Sequence, residues 1–158
     1  PALPPVWRAE PRDHIAIALA DHPERRARSR VAWDPRAGAA VIVGPARSGR
    51  TSALRAIAAQ AELAGMRAVW LPRDPREAAR TLALAERIDD VLLLVDDAQA
   101  CLTRLAAVDE GAAVDAVHAR LQTGRPTALA CAPHAPARLA GTAAVLAVMV
   151  GTDAQAML

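Results

Sequence analysis

Three observations predict an α/β fold, with a mostly parallel sheet and helices on both faces. Short apolar runs recur along the chain, at Val41-Ile42-Val43, at Val91-Leu92-Leu93-Leu94-Val95 and at Thr127-Ala128-Leu129-Ala130. Between them lie segments whose apolar residues return at helical spacing. Turn signals, among them Gly44, Gly65, Asp74-Pro75 and Gly124, fall at the junctions between the two kinds of segment. Strands that alternate with helices call for parallel pairing through crossover connections.

Taken in order, residues 1–14 hold a proline-rich stretch from Pro1 to Pro11, expected as a linker or an edge segment. Residues 15–158 are expected to form a single domain. A chain that begins with proline rather than methionine is expected to be a fragment of a larger, multi-module protein. Ile15 to Leu19 reads as a short strand. Asp21 to Arg30 carries Arg25, Arg26, Arg28 and Arg30 beside Asp21 and Glu24. Such a run is a solvated face, or else a contact surface for a neighbouring module or a polymer cargo.

The stretch from Thr51 to Ala64 places Leu54, Ile57, Ala58 and Ala61 on one helix face, and Gly65 stops it. Arg67 to Leu71 follows as a second core strand. Asp74 then caps a helix with Pro75 in its first turn, running to about Arg87 with Ala78, Leu82 and Ala85 inward. After the Val91–Val95 strand, a helix runs from Ala98 to about Ala107. The chain breaks near Glu110-Gly111, and a further helix ends at Gly124. Thr127 to Ala132 and Val145 to Val150 are the last two strands, and no internal repeat is visible.

Composition narrows the class. At 158 residues, 53% hydrophobic and 23% charged, the chain suits one compact intracellular core and is short for two. No apolar stretch is long enough to span a bilayer, and none has the form of a secretory signal. The net charge of +2 is too small to argue for nucleic-acid binding by itself. All 19 basic residues are arginine, a bias that points to a GC-rich genome and makes drift one reading of any Lys→Arg exchange. Cys101 and Cys131 are too few and too separated for a disulfide framework or a zinc site, and read as small buried hydrophobes. His14, His22, His118 and His134 show no ligand spacing and read as surface or loop residues.

The chemistry concentrates in Gly44-Pro45-Ala46-Arg47-Ser48-Gly49-Arg50-Thr51, entered from the run Ala39 to Val43. This is the G-x-x-x-x-G-K-[ST] spacing of a phosphate-binding loop, the Walker A motif, with arginine in the lysine position. Gly44 and Gly49 permit positive φ, so the loop can wrap a phosphate and aim several N–H groups at it. The helix beginning near Gly49 adds the positive end of its dipole. Residues Gly44 to Ser52 are the expected nucleotide-binding set, with ATP and Mg²⁺ as ligands. Thr51 would reach the metal and Arg50 the β- and γ-phosphates. The competing reading of Arg50 is an internal salt bridge beside an empty site.

Val91 to Val95 ends in Asp96-Asp97, the Walker B pattern of a central strand delivering an acid to its C-terminal edge. Asp96 is the expected metal-side acid. Asp97 is the expected catalytic partner of Arg50, orienting or deprotonating the attacking water. The alternative for Asp97 is a plain N-cap on the following helix.

The order and wording of these pieces resemble the FtsK/SpoIIIE class of hexameric or tandem P-loop translocases, with a RecA/FtsK-like P-loop NTPase fold. They are most similar to the repeated ATPase modules of EccC-type motors in bacterial type VII secretion. The resemblance is carried by Leu3-Pro4-Pro5, by Ile15 to Pro23 with its following arginines, and by Val41 to Arg55. Leu92 to Asp97 and Gly124-Arg125-Pro126 also carry it, and it is vague after Cys101. Two departures stand out, Arg50 for lysine and Ala130-Cys131-Ala132 where such proteins often present a polar residue to the γ-phosphate.

The resemblance implies a degenerate module that holds nucleotide firmly and hydrolyses it slowly. The implied partners are sister ATPase modules of the same parent chain, in a hexamer, and a secreted protein substrate or its signal segment. It further implies a cytoplasmic location, as the soluble part of a membrane-anchored motor. A non-hydrolysing docking module and a DNA-translocating motor are the alternative readings.

Overall fold

The computed structural model describes residues 14–133 and 142–147. The proline-rich stretch, His134 and positions 148–150 of the last expected strand lie outside them. The architecture is α/β, with helices on both faces of a parallel sheet. Its core is a five-stranded parallel sheet made of β3 (Ala39–Val43), β4 (Arg67–Trp70), β5 (Val91–Val95), β6 (Thr127–Cys131) and β7 (Thr142–Ala147), in the order β4-β5-β6-β3-β7.

Alternation along the strands decides which helices cover which face. On β5, Val91, Leu93 and Val95 pack with Val41, Leu129 and Cys131 against α2 (Pro75–Ala85), α3 (Ala98–Leu105) and α4 (Ala112–Gln122). Leu92 and Leu94 join Ala40, Ile42, Ala128 and Ala130 on the other face, beneath α1 (Arg50–Leu63). A strand buried on both sides needs continuous apolar sequence, which is why β5 reads Val-Leu-Leu-Leu-Val rather than alternating. Arg67–Trp70 departs from the expected core strand. It is the sheet edge, and Trp70 remains 36% exposed. The last strand begins at Thr142, three residues before its expected start.

A two-stranded hairpin precedes the sheet. β1 (Ile15–His22) runs antiparallel to β2 (Ala27–Trp33) through a single 3-10 turn at Pro23–Arg25. The arginine run is an exposed face, as expected, but it is divided: Arg25 lies in the turn and Arg26 caps it, while Arg28 and Arg30 stand on β2, where only Trp33 is buried. Between Ala16 and Ala18 the register slips by one residue. There the Gln60 side chain on α1 accepts from the Ala16 N–H at 2.9 Å and donates to its C=O at 2.7 Å, fastening the hairpin to the domain. Trp33 completes the anchor by donating its indole N–H to the Gly38 carbonyl at 2.9 Å.

The α2 start is as its sequence predicts. Asp74 is extended (φ −68°, ψ 125°), its carboxylate accepts from the Glu77 N–H at 2.9 Å, and Pro75 occupies the first turn, where no N–H is needed. Asp74→Ala is expected to cost about 1 kcal/mol, read as a lower urea midpoint with an unchanged m-value.

Arg120 is an exception to the rule that arginines lie outside. It is 2% exposed on the inward face of α4. Its guanidinium donates to Thr127 Oγ1 at 3.2 Å, to Glu86 Oε1 at 2.6 Å, and to the carbonyls of Val91 at 2.6 Å and Pro126 at 3.0 Å. Burial pushes its pKa down from the ordinary value while Glu86 pushes it back up. These bonds tie together the N-terminal ends of β5 and β6.

Candidate functional site

The strand order decides where the chemistry can sit. β3 leads into the glycine loop and β5 into the acid pair, with β6 between them, so both motifs emerge at the C-terminal edge of one parallel sheet. That edge is where open α/β sheets form their crevices. The two motifs meet directly, because Thr51 Oγ1 donates to Asp96 Oδ2 at 2.9 Å across 45 residues of sequence.

Within the loop the backbone differs from expectation at one point. Gly49 takes φ +96° as the N-cap of α1, a conformation that favours glycine. Gly44 does not use positive φ. It is buried and its N–H donates to the Cys131 carbonyl at 3.2 Å, which ties the loop entrance to the end of β6. The positive φ falls instead on Arg47, at +63°. A non-glycine residue held there carries a steric cost that the surrounding loop must overcome. Ser48 N–H closes the turn onto the Pro45 carbonyl at 3.3 Å. Ala46 and Ser52 are exposed, and Pro45 and Thr51 are half-buried.

Among the described residues Arg50 makes no salt bridge. Its Nη1 is buried and has no hydrogen-bond partner, and the same holds for Ser48 Oγ. Buried donors left unpaired cost free energy, so two of them in one phosphate-type loop are positioned for acceptor oxygens from a ligand. Arg50 also lies near Cys131. Burial raises the Cys131 thiol pKa, and the arginine offsets part of that rise. Burial likewise raises Cys101, opposed by Arg104 and reinforced by Asp97. Both cysteines are free and buried, as their sequence reading holds, and such protonated thiols are poor nucleophiles.

The acid pair splits into two environments. Asp96 is half-buried and engaged with Thr51. Asp97 is exposed, stands in the left-handed region (φ 52°, ψ 62°), and makes no side-chain cap hydrogen bond to α3. Asp97 thus occupies the N-cap position of α3, where its C=O accepts from the Cys101 N–H at 2.9 Å, but its carboxylate does not cap the helix. A non-glycine residue held in that conformation at the end of a central strand is a common mark of a functional position.

The residues present fit a nucleoside triphosphate with Mg²⁺. Among the described residues no cluster of three or more His, Cys, Asp or Glu side chains could hold a metal. Thr51 and Asp96 would be its protein ligands, with waters and phosphate oxygens supplying the rest, as Mg²⁺ prefers. Sequence reasoning missed three arginines near this edge, Arg55, Arg73 and Arg104, which line one cavity with Thr51, Asp96 and Asp97. Their separation along the chain left no local signal. Among the described residues no helix is long and apolar enough to cross a membrane.

No family model matches the chain, and no curated protein matches it. Solved structures similar to it include a chain of the HORMA:CdnC:Trip13 complex of E. coli MS115-1, at 22% identity and a TM-score of 0.48, covering 72% of this chain and 49% of that one. AMPPCP-bound DnaA from Aquifex aeolicus is similar at 18% identity and a TM-score of 0.43, covering 68% of this chain and 39% of that one. The cytoplasmic domain of EssC is similar at 17% identity and a TM-score of 0.48, covering 84% of this chain and 34% of that one. The chain thus spans less than half the length of each, and the fold assignment rests on its own strand order and loop.

Proposed function

We propose that this chain is an ATP-binding, weakly hydrolysing module of an FtsK/SpoIIIE-type translocase, serving protein export of the type VII secretion kind. The observation that carries the reading is the 2.9 Å hydrogen bond from Thr51 to Asp96, which joins the glycine loop to the acid-bearing strand at one sheet edge. ATP bound there supplies the phosphoryl group whose hydrolysis drives a motor.

The chain's own residues have separate tasks in this reading. The Gly44–Ser52 backbone and the Ser48 hydroxyl donate to phosphate oxygens, and Arg50 neutralises their charge. Thr51 and Asp96 hold the metal, and Asp97 orients the attacking water. Partners are sister modules of the same parent chain, arranged as a hexamer in the cytoplasm, and an exported protein or its signal segment. A DNA-translocating role is the second reading. It draws on the exposed β2 strand with its arginines and predicts DNA binding that falls steeply with salt.

Titration with a fluorescent ATP analogue tests the site. Asp96→Asn and Thr51→Ala are each expected to weaken Mg²⁺-dependent affinity by about tenfold or more, with Mg²⁺-free affinity changed much less. Equal Mg²⁺ dependence in the variants and the parent, or no ATP binding by the parent, would sink the reading.

A further inference from the structure

A cavity of about 610 Å³ opens beside the Thr51–Asp96 pair, and of residues 44–51 only Thr51 lines it. Its walls come from α1, from the segment that follows β4, from the end of β5 and from α3. Three arginines line it, Arg55 from α1, Arg73 from beyond β4 and Arg104 from α3. None of the three side chains makes a hydrogen bond or an ion pair among the described residues, whereas Arg36, Arg120 and Arg125 all do.

Charge and shape together select the ligand. Three cations face two carboxylates, and one of those, Asp96, is already engaged by Thr51. Like charges gathered without partners repel, so the lining favours an incoming anion with several acceptor oxygens. Trp70 ends the edge strand, is 36% exposed, and gives the same cavity an aromatic wall continued by Leu71 and Pro72. A bare anion would use the arginines and leave this apolar wall wet. A phosphate joined to a planar ring uses both, since guanidinium forks match phosphate and indole faces stack on bases. The volume also lies within the usual range for small-molecule sites.

We propose that this cavity is a second ligand site, beside the glycine loop, that binds a mononucleotide with its phosphate on Arg55, Arg73 and Arg104 and its base on Trp70. It borders the proposed ATP site at Thr51, Asp96 and Asp97, but the residues that would hold the mononucleotide lie outside residues 44–51, so it stands whether or not ATP binds there.

The test is calorimetric titration of the whole chain with AMP and, separately, with inorganic phosphate. AMP is expected to bind saturably and to keep binding when ATP is present in excess. Arg73→Glu combined with Arg104→Glu is expected to weaken AMP by tenfold or more. Trp70→Leu is expected to weaken AMP several-fold while leaving phosphate affinity in place. Arg50→Ala, which alters only the loop, is expected to leave AMP affinity unchanged. Circular dichroism of each variant confirms folding, and Arg73 is exposed enough to tolerate the exchange.

The proposal is overturned by absence of saturable AMP binding, by an AMP affinity that the double charge reversal does not move, or by AMP competing with ATP and failing in Arg50→Ala. That last result would place AMP in the loop. Phosphate binding as tight as AMP binding, with no effect of Trp70→Leu, would overturn the mononucleotide assignment in favour of a plain anion. A failed ATP titration with intact AMP binding would count against the loop reading alone.

Discussion

Arg120→Met is expected to lower the stability of the chain by about 3–5 kcal/mol, the scale for breaking a buried ion pair by removing one member. That is a large share of the roughly 5–15 kcal/mol that holds a typical domain together. The cause is what remains behind rather than what is lost. Methionine fills much of the volume but leaves the Val91 and Pro126 carbonyls, Thr127 Oγ1 and Glu86 Oε1 without the donor they share. Each orphaned buried acceptor carries its own desolvation penalty. Arg125 still donates to the other oxygen and to the backbone carbonyl of Glu86, so the carboxylate is not left wholly unpaired.

Arg120→Lys separates charge from geometry. It keeps the cation but has no planar fork to reach four acceptors, and is expected to recover less than half of the loss. Urea denaturation with matched m-values would measure both. A loss below about 1 kcal/mol for the methionine variant would mean that water replaces the missing donors and that the buried arginine is not a strut.

The same arginine shows where the sequence stops being informative. Ala113, Val117 and Leu121 mark the inward face of α4 by their spacing, but Arg120 sits beside them and reads as part of the polar face. Its partners lie on β5, on the approach to β6 and at the end of α2, and no local pattern links those places. The β2 strand was hidden for a different reason. Six of its seven residues are exposed, so it has no buried face to impose a period of two, and the charge run concealed the hairpin pairing. Where burial is one-sided, as in α1 and α2, the residues named as inward are the buried ones, and β5, buried on both faces, reads as a continuous apolar run.

The loop was legible in its spacing but not in its strain. Glycine spacing correctly identified the turn and the αL position at Gly49, yet positive φ also fell on Arg47, and Gly44 instead has its amide tied to Cys131. The meeting of Thr51 with Asp96 follows from strand order, and two motifs on parallel strands must emerge at the same sheet edge. The cavity of Arg55, Arg73 and Arg104 follows from no motif. It exists because α1, the segment after β4 and α3 come together at that edge.

Arg50→Lys is expected to raise ATP turnover by about tenfold or more while nucleotide affinity stays within a few-fold of the parent. Phosphoryl transfer depends on placing charge to within about an ångström, and a misplacement on that scale costs roughly 10²-fold. A guanidinium neutralises phosphate charge but offers its donors in a rigid fork, whereas an ammonium can settle between β- and γ-oxygens. The structure adds a local argument. Arg50 Nη1 is buried without a partner, so no group among the described residues fixes that arm of the guanidinium in the position phosphoryl transfer needs. A shorter lysine removes that orphan donor, and thermal stability is expected to hold or rise slightly. Turnover and affinity measured on the same preparation distinguish the outcomes. Raised turnover with unchanged affinity identifies position 50 as the brake. Turnover that stays level or falls moves the brake to the end of β6, where Cys131 is a buried thiol with a raised pKa and offers no strong hydrogen-bonding group to a γ-phosphate. Cys131→Asn in the Arg50→Lys background then becomes the decisive variant, because a restored donor at that strand end is expected to raise turnover only if catalysis was missing a contact there.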